Sequence, residues 1–240
     1  MDFIFNKDTY KFKSGLISYN KTKVSFSGEI NEKKNIWINL KFSSDKAYIN
    51  DLAEFFPVQL ENFRKNYALA GYSAFSGSIK GFSTQHTIPD VHVNFIVQNA
   101  LINNRNNKRK ATDIFLKGNY SLIKSEHSLN LSEFNSRIGD SHFQGEMSIK
   151  GFDSPAISIN MKSDIRIKEF VEFLNVDTLE ELSGSLQGDL KLQGTIPSLK
   201  NFNYRDLFAL KREGEVTAKD ISFKIAGSNY HSKHEFQREI

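Results

Sequence analysis

The sequence predicts a mainly β protein built on an elongated antiparallel sheet of repeated units, with a few short helices. Three observations lead to this fold class. Apolar and polar residues alternate along most of the 240-residue chain, which is typical of half-buried strands. Short connections rich in Gly, Asn, Asp and Ser separate many of the alternating runs, as in antiparallel meanders. Similar strand patterns also recur at a distance along the chain.

The alternation predicts roughly a dozen strands, and we expect the usual ~5–6 residues in each. One side of each strand carries apolar residues, among them many of the 21 Phe. The other side carries mostly Lys, Ser, Asn and Glu. In chain order the clearest runs cover residues 24–30, 36–42, 91–97, 114–122, 129–131, 143–149, 157–161, 186–192, 216 and 221–225.

Three segments depart from the alternation and have helical spacing instead. Isolated helices this short are marginal in water, so we expect each one to cap the sheet or to pack on it. The segments are residues 51–56 with 58–69, residues 168–174 with 178–182, and residues 204–210.

Two stretches of chain, approximately residues 24–80 and 141–194, are predicted to be repeat units. Each contains a Phe-x-Gly-Glu run, beginning at Phe26 and at Phe143, followed by a second strand and an acidic-apolar helix. Loops with Pro recur after strands that end at Gly, and Pro belongs outside a hydrogen-bonded ladder. Such repetition favours an elongated sheet. Chance similarity among alternating strands is the alternative interpretation.

A dozen strands with one apolar side must hide that side from water. The residues leave open a sandwich, a closed barrel, or an open trough whose apolar face is covered by lipid. In a trough the apolar residues share one continuous open face, whereas in a sandwich they form an ordinary core. The candidate lining residues are Val24, Phe26, Ile38, Leu40, Phe42, Val93, Phe95, Leu116, Phe143, Met147, Ile159, Met161, Leu190 and Phe223.

Composition and motifs give no indication of catalysis. The chain has no Cys, which excludes disulfide scaffolds and cysteine-ligated zinc or iron–sulfur sites. No H-E-x-x-H, G-x-S-x-G or P-loop motif occurs, and only His231 and His234 lie close together. We therefore predict that the protein is not an enzyme and has no cofactor and no metal site. The acidic pair Asp51 and Glu54 is interpreted as a solvated helix face.

The charge pattern gives no indication of a nucleic-acid partner. The formal net charge is only +4, and the two signs interleave along the chain. The densest basic run contains Arg105, Lys108, Arg109 and Lys110 among asparagines. We interpret it as a solvated hairpin loop, with a phosphate-binding patch as the alternative. No aromatic residues interleave with the run to stack on bases.

Four stretches of the sequence resemble a known family. Residues 138–145 look like a strand pair of AsmA-family proteins. Residues 184–199, 202–206 and 214–223 are similar to the C-terminal region of that family, especially in its Bacteroidetes-type members. The resemblance covers most of the chain from about Tyr10.

The resemblance implies a curved sheet that forms an open β-groove, with residues 1–240 as one groove region. It implies a lipid-binding protein whose partner is the acyl chain of a phospholipid. AsmA-like proteins are linked to phospholipid transport between membranes and to outer-membrane assembly. They are periplasmic and are anchored in the inner membrane by an N-terminal helix.

The chain lacks the anchor of that family and its full length, so we expect it to be a fragment of a longer AsmA-like protein. The family offers no catalytic residues. The alternative function is a structural or carbohydrate-binding β-sandwich or solenoid of the cell surface.

Overall fold

A computed structural model describes residues 2–174, 179–202, 206, 209–225 and 231–239. Within these residues thirteen strands form one antiparallel sheet, in which every strand pairs only with its neighbours in the chain. Among the described residues the sheet is curved and elongated, and its edge strands β1 and β13 do not pair with each other, so the predicted fold class is confirmed. The strands are β1 (Asp2–Asn6), β2 (Thr9–Tyr19), β3 (Thr22–Asn31), β4 (Ile36–Tyr48), β5 (Tyr67–Ser83), β6 (Asp90–Asn104), β7 (Lys110–Ile123), β8 (Glu126–Ile138), β9 (Ser141–Lys150), β10 (Ala156–Arg166), β11 (Leu179–Thr195), β12 (Lys211–Ile225) and β13 (His231–Glu239).

Most strands are longer than the sequence predicted. β5 and β11 each contain 17 residues, against the five or six expected. The reason is that β-bulges interrupt the alternation inside a strand without ending it. Val216 and the run 221–225 looked like two strands, but both belong to β12, whose pairing register shifts between Ala218 and Ile221.

Bulges in neighbouring strands lie side by side and form a line across the sheet. Register shifts occur next to Gly71 in β5, Asn99 in β6 and Asp113 in β7, and these residues have φ angles of 116°, 50° and 52°. Gly, Asn and Asp adopt this left-handed conformation most readily. The extra residues in β6 and β7 bend those strands and shift the alternation of their side chains by one position, and Gly71 lies opposite the extra residue of β6.

The helical segments are shorter than predicted. The first contains α1 (Ile49–Leu52), two 3-10 turns and α2 (Glu61–Asn66), and the second contains α3 (Ile167–Leu174). Residues 67–69 and 179–182 were predicted to be helical but begin β5 and β11. Pairing with a neighbouring strand outweighs the helical spacing of so short a window. The third segment, residues 204–210, lies mostly outside the described residues.

Strand register divides the side chains between an apolar face and a polar face, because directly opposed residues project from the same side. One row of the polar face crosses seven strands: Ser27, Lys41, Ser78, His92, Ser121, Ser128 and Lys150. One row of the apolar face crosses nine strands: Phe26, Phe42, Gly77, Val93, Tyr120, Leu129, Ile149, Ile157 and Gly194.

The packed core consists of two clusters on the apolar face, at opposite ends of the strands. The first, which we call the α3 cluster, surrounds Phe173 of α3 and contains Val97, Ile114, Ile138 and Phe143. The second, which we call the Phe152 cluster, lies at the C-terminal ends of β9 and β11 and at the N-terminal end of β10. Its buried members are Ile149, Phe152, Ile157, Leu192, Ile196 and Leu210.

The predicted repeat units contain the same order of elements. Residues 24–80 contain a strand, a strand, a helical segment and a strand, and so do residues 141–194. Phe26 and Phe143 both lie on the apolar face. The assignment of the two units as repeats remains a prediction.

Candidate functional site

The apolar face is the candidate site, and strand register places the predicted lining residues on it. Phe42 pairs with Phe26, and Phe95 pairs with Phe75. Thirteen of the fourteen residues have described side chains, and all thirteen share this face: Val24, Phe26, Ile38, Leu40, Phe42, Val93, Phe95, Leu116, Phe143, Met147, Ile159, Met161 and Leu190. Phe223 belongs to β12, but its side chain lies outside the described part of the structure.

The face is open over much of its area. Twelve of these thirteen side chains are only half-buried, and no second sheet lies over them among the described residues. A sandwich core would bury the same residues almost completely. Phe143 is the exception, with 6% of its surface exposed. It is a core residue rather than an open lining residue, because the ring of Phe170 in α3 lies over it, with ring centroids 5.5 Å apart.

Aromatic rings fill the apolar face at its N-terminal end. Phe12 packs edge-on against Phe26, and Phe42 packs edge-on against Phe75, with centroids 5.3 Å and 6.0 Å apart. The Phe26 ring also covers Gly15 so closely that a Cβ there would lie 2.2 Å from its Cζ. Glycine therefore lets a ring of the next strand lie flat on the sheet, and a continuous apolar surface results.

Helix α3 covers the face over β6 to β10. Phe170, Phe173 and Leu174 pack into the α3 cluster. Hydrogen bonds at two positions fix the helix to the sheet. Glu169 accepts hydrogen bonds from the backbone N–H and the hydroxyl of Ser141, at 3.2 Å and 3.1 Å. The buried Asn104 side chain donates to the backbone carbonyl of Phe173 at 2.7 Å.

The basic run at residues 105–110 forms the connection between β6 and β7, so the predicted hairpin loop is confirmed. It also supports α3. Arg109 forms an ion pair with Glu172 of the helix, and Asn107 donates a hydrogen bond to the carbonyl of the same residue. Neither Asn104 nor this loop was among the predicted site residues. Their role depends on contacts across more than 60 residues of chain, which no local pattern records.

Residues 49–66, which we call the strap, connect β4 to β5 and are fixed at the start by Asp51. This residue was predicted to be solvated, but only 6% of its surface is exposed. Its carboxylate accepts hydrogen bonds from the hydroxyl of Thr22, at 2.8 Å, and from the backbone N–H of Lys21, at 3.2 Å. The hydrogen bond from Thr22 is the main reason that the pKa of Asp51 lies below its ordinary value, and desolvation opposes it.

Two polar residues on the far side of the strap form hydrogen bonds with loop residues that adjoin the Phe152 cluster in the chain. Gln59 donates to the carboxylate of Asp153 at 2.9 Å, and Asn62 donates to the carbonyl of Lys200 at 2.6 Å. These two contacts, which we call the latches, are exposed. Between them and β5, the Phe63 ring packs against Tyr67.

The polar face contains an open depression of about 1070 Å³ across β8 to β12. Its lining is a mixture of amide, carboxylate and ammonium groups, and one ion pair within it joins Lys162 to Asp189 at 3.5 Å. Further lining residues are Gln144, Glu146, Asn160 and Glu213.

Comparison of the chain with protein-family models, with curated proteins and with solved structures found no match. Among the described residues, none of the helices has the length and hydropathy needed to cross a membrane. His231 and His234 are the two histidines that lie close together in the sequence. Their side chains lie outside the described part of the structure.

Proposed function

We propose that the apolar face binds the acyl chains of phospholipids and that the protein carries lipid without transforming it. The observation that supports this most directly is the single-layer sheet whose apolar face stays half-exposed over most of β2 to β6, outside the two buried clusters. Water-exposed apolar patches larger than a few hundred Å² usually mark a binding surface. An acyl chain matches this apolar surface, because neither of them has polar groups that need a hydrogen-bond partner.

The dimensions of the sheet are consistent with an extended chain ligand. Neighbouring strands lie ~4.8 Å apart, so the half-exposed stretch from β2 to β6 offers a track of about 20 Å. The aromatic rings along it are flat and rigid, and covering the exposed part of one is worth a fraction of the about 1.5–3 kcal/mol gained by burying a whole side chain. Several such contacts would hold a lipid tail without any hydrogen bond.

The wider setting of this function follows from the resemblance to AsmA-family proteins. We propose that the chain is part of a protein of that type, periplasmic and anchored in the inner membrane, with a role in phospholipid transport and outer-membrane assembly. A groove of this kind needs no cofactor and no catalytic residue.

The depression on the polar face favours a second candidate, which is carbohydrate binding. Its amide and carboxylate groups suit the hydroxyl groups of a sugar. In this case the thermal midpoint of unfolding should rise with an oligosaccharide ligand, and Glu146→Gln should reduce that rise. A lipid-binding protein would show no such response.

The alternative of a structural cell-surface protein also remains a prediction, although the described strands form one sheet and no sandwich.

The test of lipid binding is native mass spectrometry of the protein after gentle extraction from cells. We expect copurified phospholipid on the wild-type chain. Phe42→Asp should lower the bound fraction by about ten- to hundredfold, because it places a charge where a tail would lie.

The matched control is Asn39→Asp, which introduces the same carboxylate on the polar face of the same strand. We expect it to leave lipid loading unchanged. Absence of phospholipid from the wild type, or equal losses in the two variants, would count against the proposal. Circular dichroism of both variants shows whether the sheet is retained.

A further inference from the structure

We propose that the strap, residues 49–66, opens and closes over the apolar face and thereby controls the rate at which a lipid tail reaches it. This inference rests on the proposed lipid-binding function. Four features of the strap support it: its path, its fixed ends, its loose middle and its exposed apolar residues.

The path of the strap leads from one core cluster to the other. Near β5, Phe63 contacts Tyr67, whose ring lies 5.8 Å from Phe173 in the α3 cluster. At the latches, Gln59 contacts Asp153, which follows Phe152 in the chain. The strap therefore has contacts next to both clusters, which lie on the apolar face.

The two ends of the strap are firmly fixed. At the start, Asp51 is buried and bound to the hairpin between β2 and β3. At the end, the carbonyl of Asn66 accepts a hydrogen bond from the backbone N–H of Arg105 at 2.9 Å, and Tyr67 already belongs to β5. These attachments would persist while the middle of the strap moves.

The middle of the strap is held loosely. None of its residues from 52 to 66 is buried, and its contacts with the sheet are few: Phe63 packs on Tyr67, and the Tyr19 hydroxyl donates to Glu54. The latches are exposed hydrogen bonds, and water replaces such bonds at little net cost. Within the strap, Arg64 donates to the carbonyl of Ala53 at 2.8 Å, which holds residues 53–64 together as one moving unit. Regions with few buried contacts are the ones that open first.

The strap also carries the most exposed apolar side chains of the described residues. Phe55 is 73% exposed and Val58 is 60% exposed. Phe55 contacts the ring of Tyr19, at 5.6 Å, and Tyr19 lies on the apolar face at the end of β2. An apolar path therefore leads from the outer surface of the strap onto the face. Lids that gate an apolar site commonly limit ligand exchange in this way.

The test uses the fact that the chain has no cysteine of its own. The double variant Gln59→Cys with Asp153→Cys is bridged across a latch by a short bis-methanethiosulfonate reagent, which a reductant removes. The probe is a pyrene-acyl phosphatidylglycerol in phosphatidylcholine vesicles. The matched control is Lys162→Cys with Asp189→Cys, bridged in the same way across β10 and β11 on the polar face.

We expect bridging of the latch to slow uptake of the probe by about tenfold or more, with full recovery after reduction and no change in the control pair. Equal uptake rates in the bridged and reduced latch variant would overturn the gate and leave lipid binding intact. Failure of both forms, and of the wild type, to take up any probe would instead overturn lipid binding and the gate with it.

Discussion

Asp51 joins the strap to the hairpin between β2 and β3 through Thr22, a residue with only 2% of its surface exposed. The hydroxyl of Thr22 donates to Asp51 and accepts a hydrogen bond from the backbone N–H of Tyr48 at 2.9 Å. One side chain thus satisfies a buried acceptor and a buried donor. Loss of such a group leaves both partners unsatisfied.

We expect Thr22→Val, which keeps the shape and removes the hydroxyl, to lower the free energy of unfolding by about 1–3 kcal/mol. Urea denaturation measures this loss. Thr112→Val, a change of the same kind in β7, serves as a reference for the substitution itself. A Thr22→Val protein as stable as the wild type would show that the contacts of Asp51 make no net contribution to the free energy of unfolding.

The pH dependence of stability should also report on Asp51. Its pKa is held below the ordinary value of 3.8, first by the hydrogen bond from Thr22. Because the folded state has the lower pKa, the unfolded state binds the proton more tightly. The stabilisation is complete above pH 3.8 and is lost as the pH falls through the lower, folded value.

We therefore expect wild type and Asp51→Asn to differ in stability at neutral pH and to converge in strong acid. Denaturation curves recorded at a series of pH values measure the difference. A constant offset between the two proteins down to the most acidic conditions would mean that the carboxylate charge at this position does not matter.

The burial of Asp51 is a feature that the local sequence pattern did not predict. The acidic pair in a short helical segment is typical of a solvated face, and Glu54 is indeed exposed. Asp51 differs because the turn that binds it lies 29 residues earlier in the chain. The same applies to Asn104, whose partner Phe173 is 69 residues away. Local patterns contain no information on such contacts.

At the scale of elements, glycines set how closely strands approach. A Cβ on Gly145 of β9 would lie 2.0 Å from the backbone carbonyl oxygen of Asn160 in β10. Backbone atoms cannot move aside without breaking the ladder between these strands. The residue is therefore required for the close pairing itself.

We expect Gly145→Ala to destabilise the protein by about 1–3 kcal/mol and to speed hydrogen exchange of amides in β9 and β10. Ser148→Ala, on the exposed polar face of the same strand, is the control and should change little. Unaltered exchange in β9 after the glycine substitution would show that the strands can separate slightly at no cost.

Helix α3 makes Phe143 a residue of the core, and its substitution should differ from that of Phe42. We expect Phe143→Ala to lower the free energy of unfolding by about 3–5 kcal/mol, the usual cost of emptying a buried aromatic site. Phe42→Ala removes a half-exposed ring and should cost clearly less. Chemical denaturation compares the two, and equal losses would mean that α3 does not protect Phe143.

The alternation of residues predicted the faces of the strands well and their lengths poorly. Side-chain direction in a strand has a period of two, so Phe26, Phe42 and Phe95 could be assigned to one side from sequence alone. A bulge adds one residue and shifts the phase of the alternation, so β12 looked like two strands. The helical spacing indicated that α3 would pack on the sheet, but its position over Phe143 depends on tertiary contacts that no local pattern indicates.

At the scale of the whole molecule, the sheet behaves as a series of neighbouring hairpins. Each strand pairs with the strand before it and the strand after it, so the apolar face is assembled from local pairings and extends as strands are added. This architecture exposes more apolar surface than a two-layer fold of the same length. The strap and α3 cover part of the face, and a lipid tail is proposed to cover the rest.

The measurement that tests this claim most directly is photo-crosslinking with a phospholipid that carries a diazirine in its acyl chain, followed by peptide mapping. We expect adducts on apolar-face residues of β2 to β6, such as Phe42 and Phe95, and their loss when unlabelled phospholipid competes. Adducts spread evenly over both faces, or confined to the polar depression near Glu146, would contradict the account.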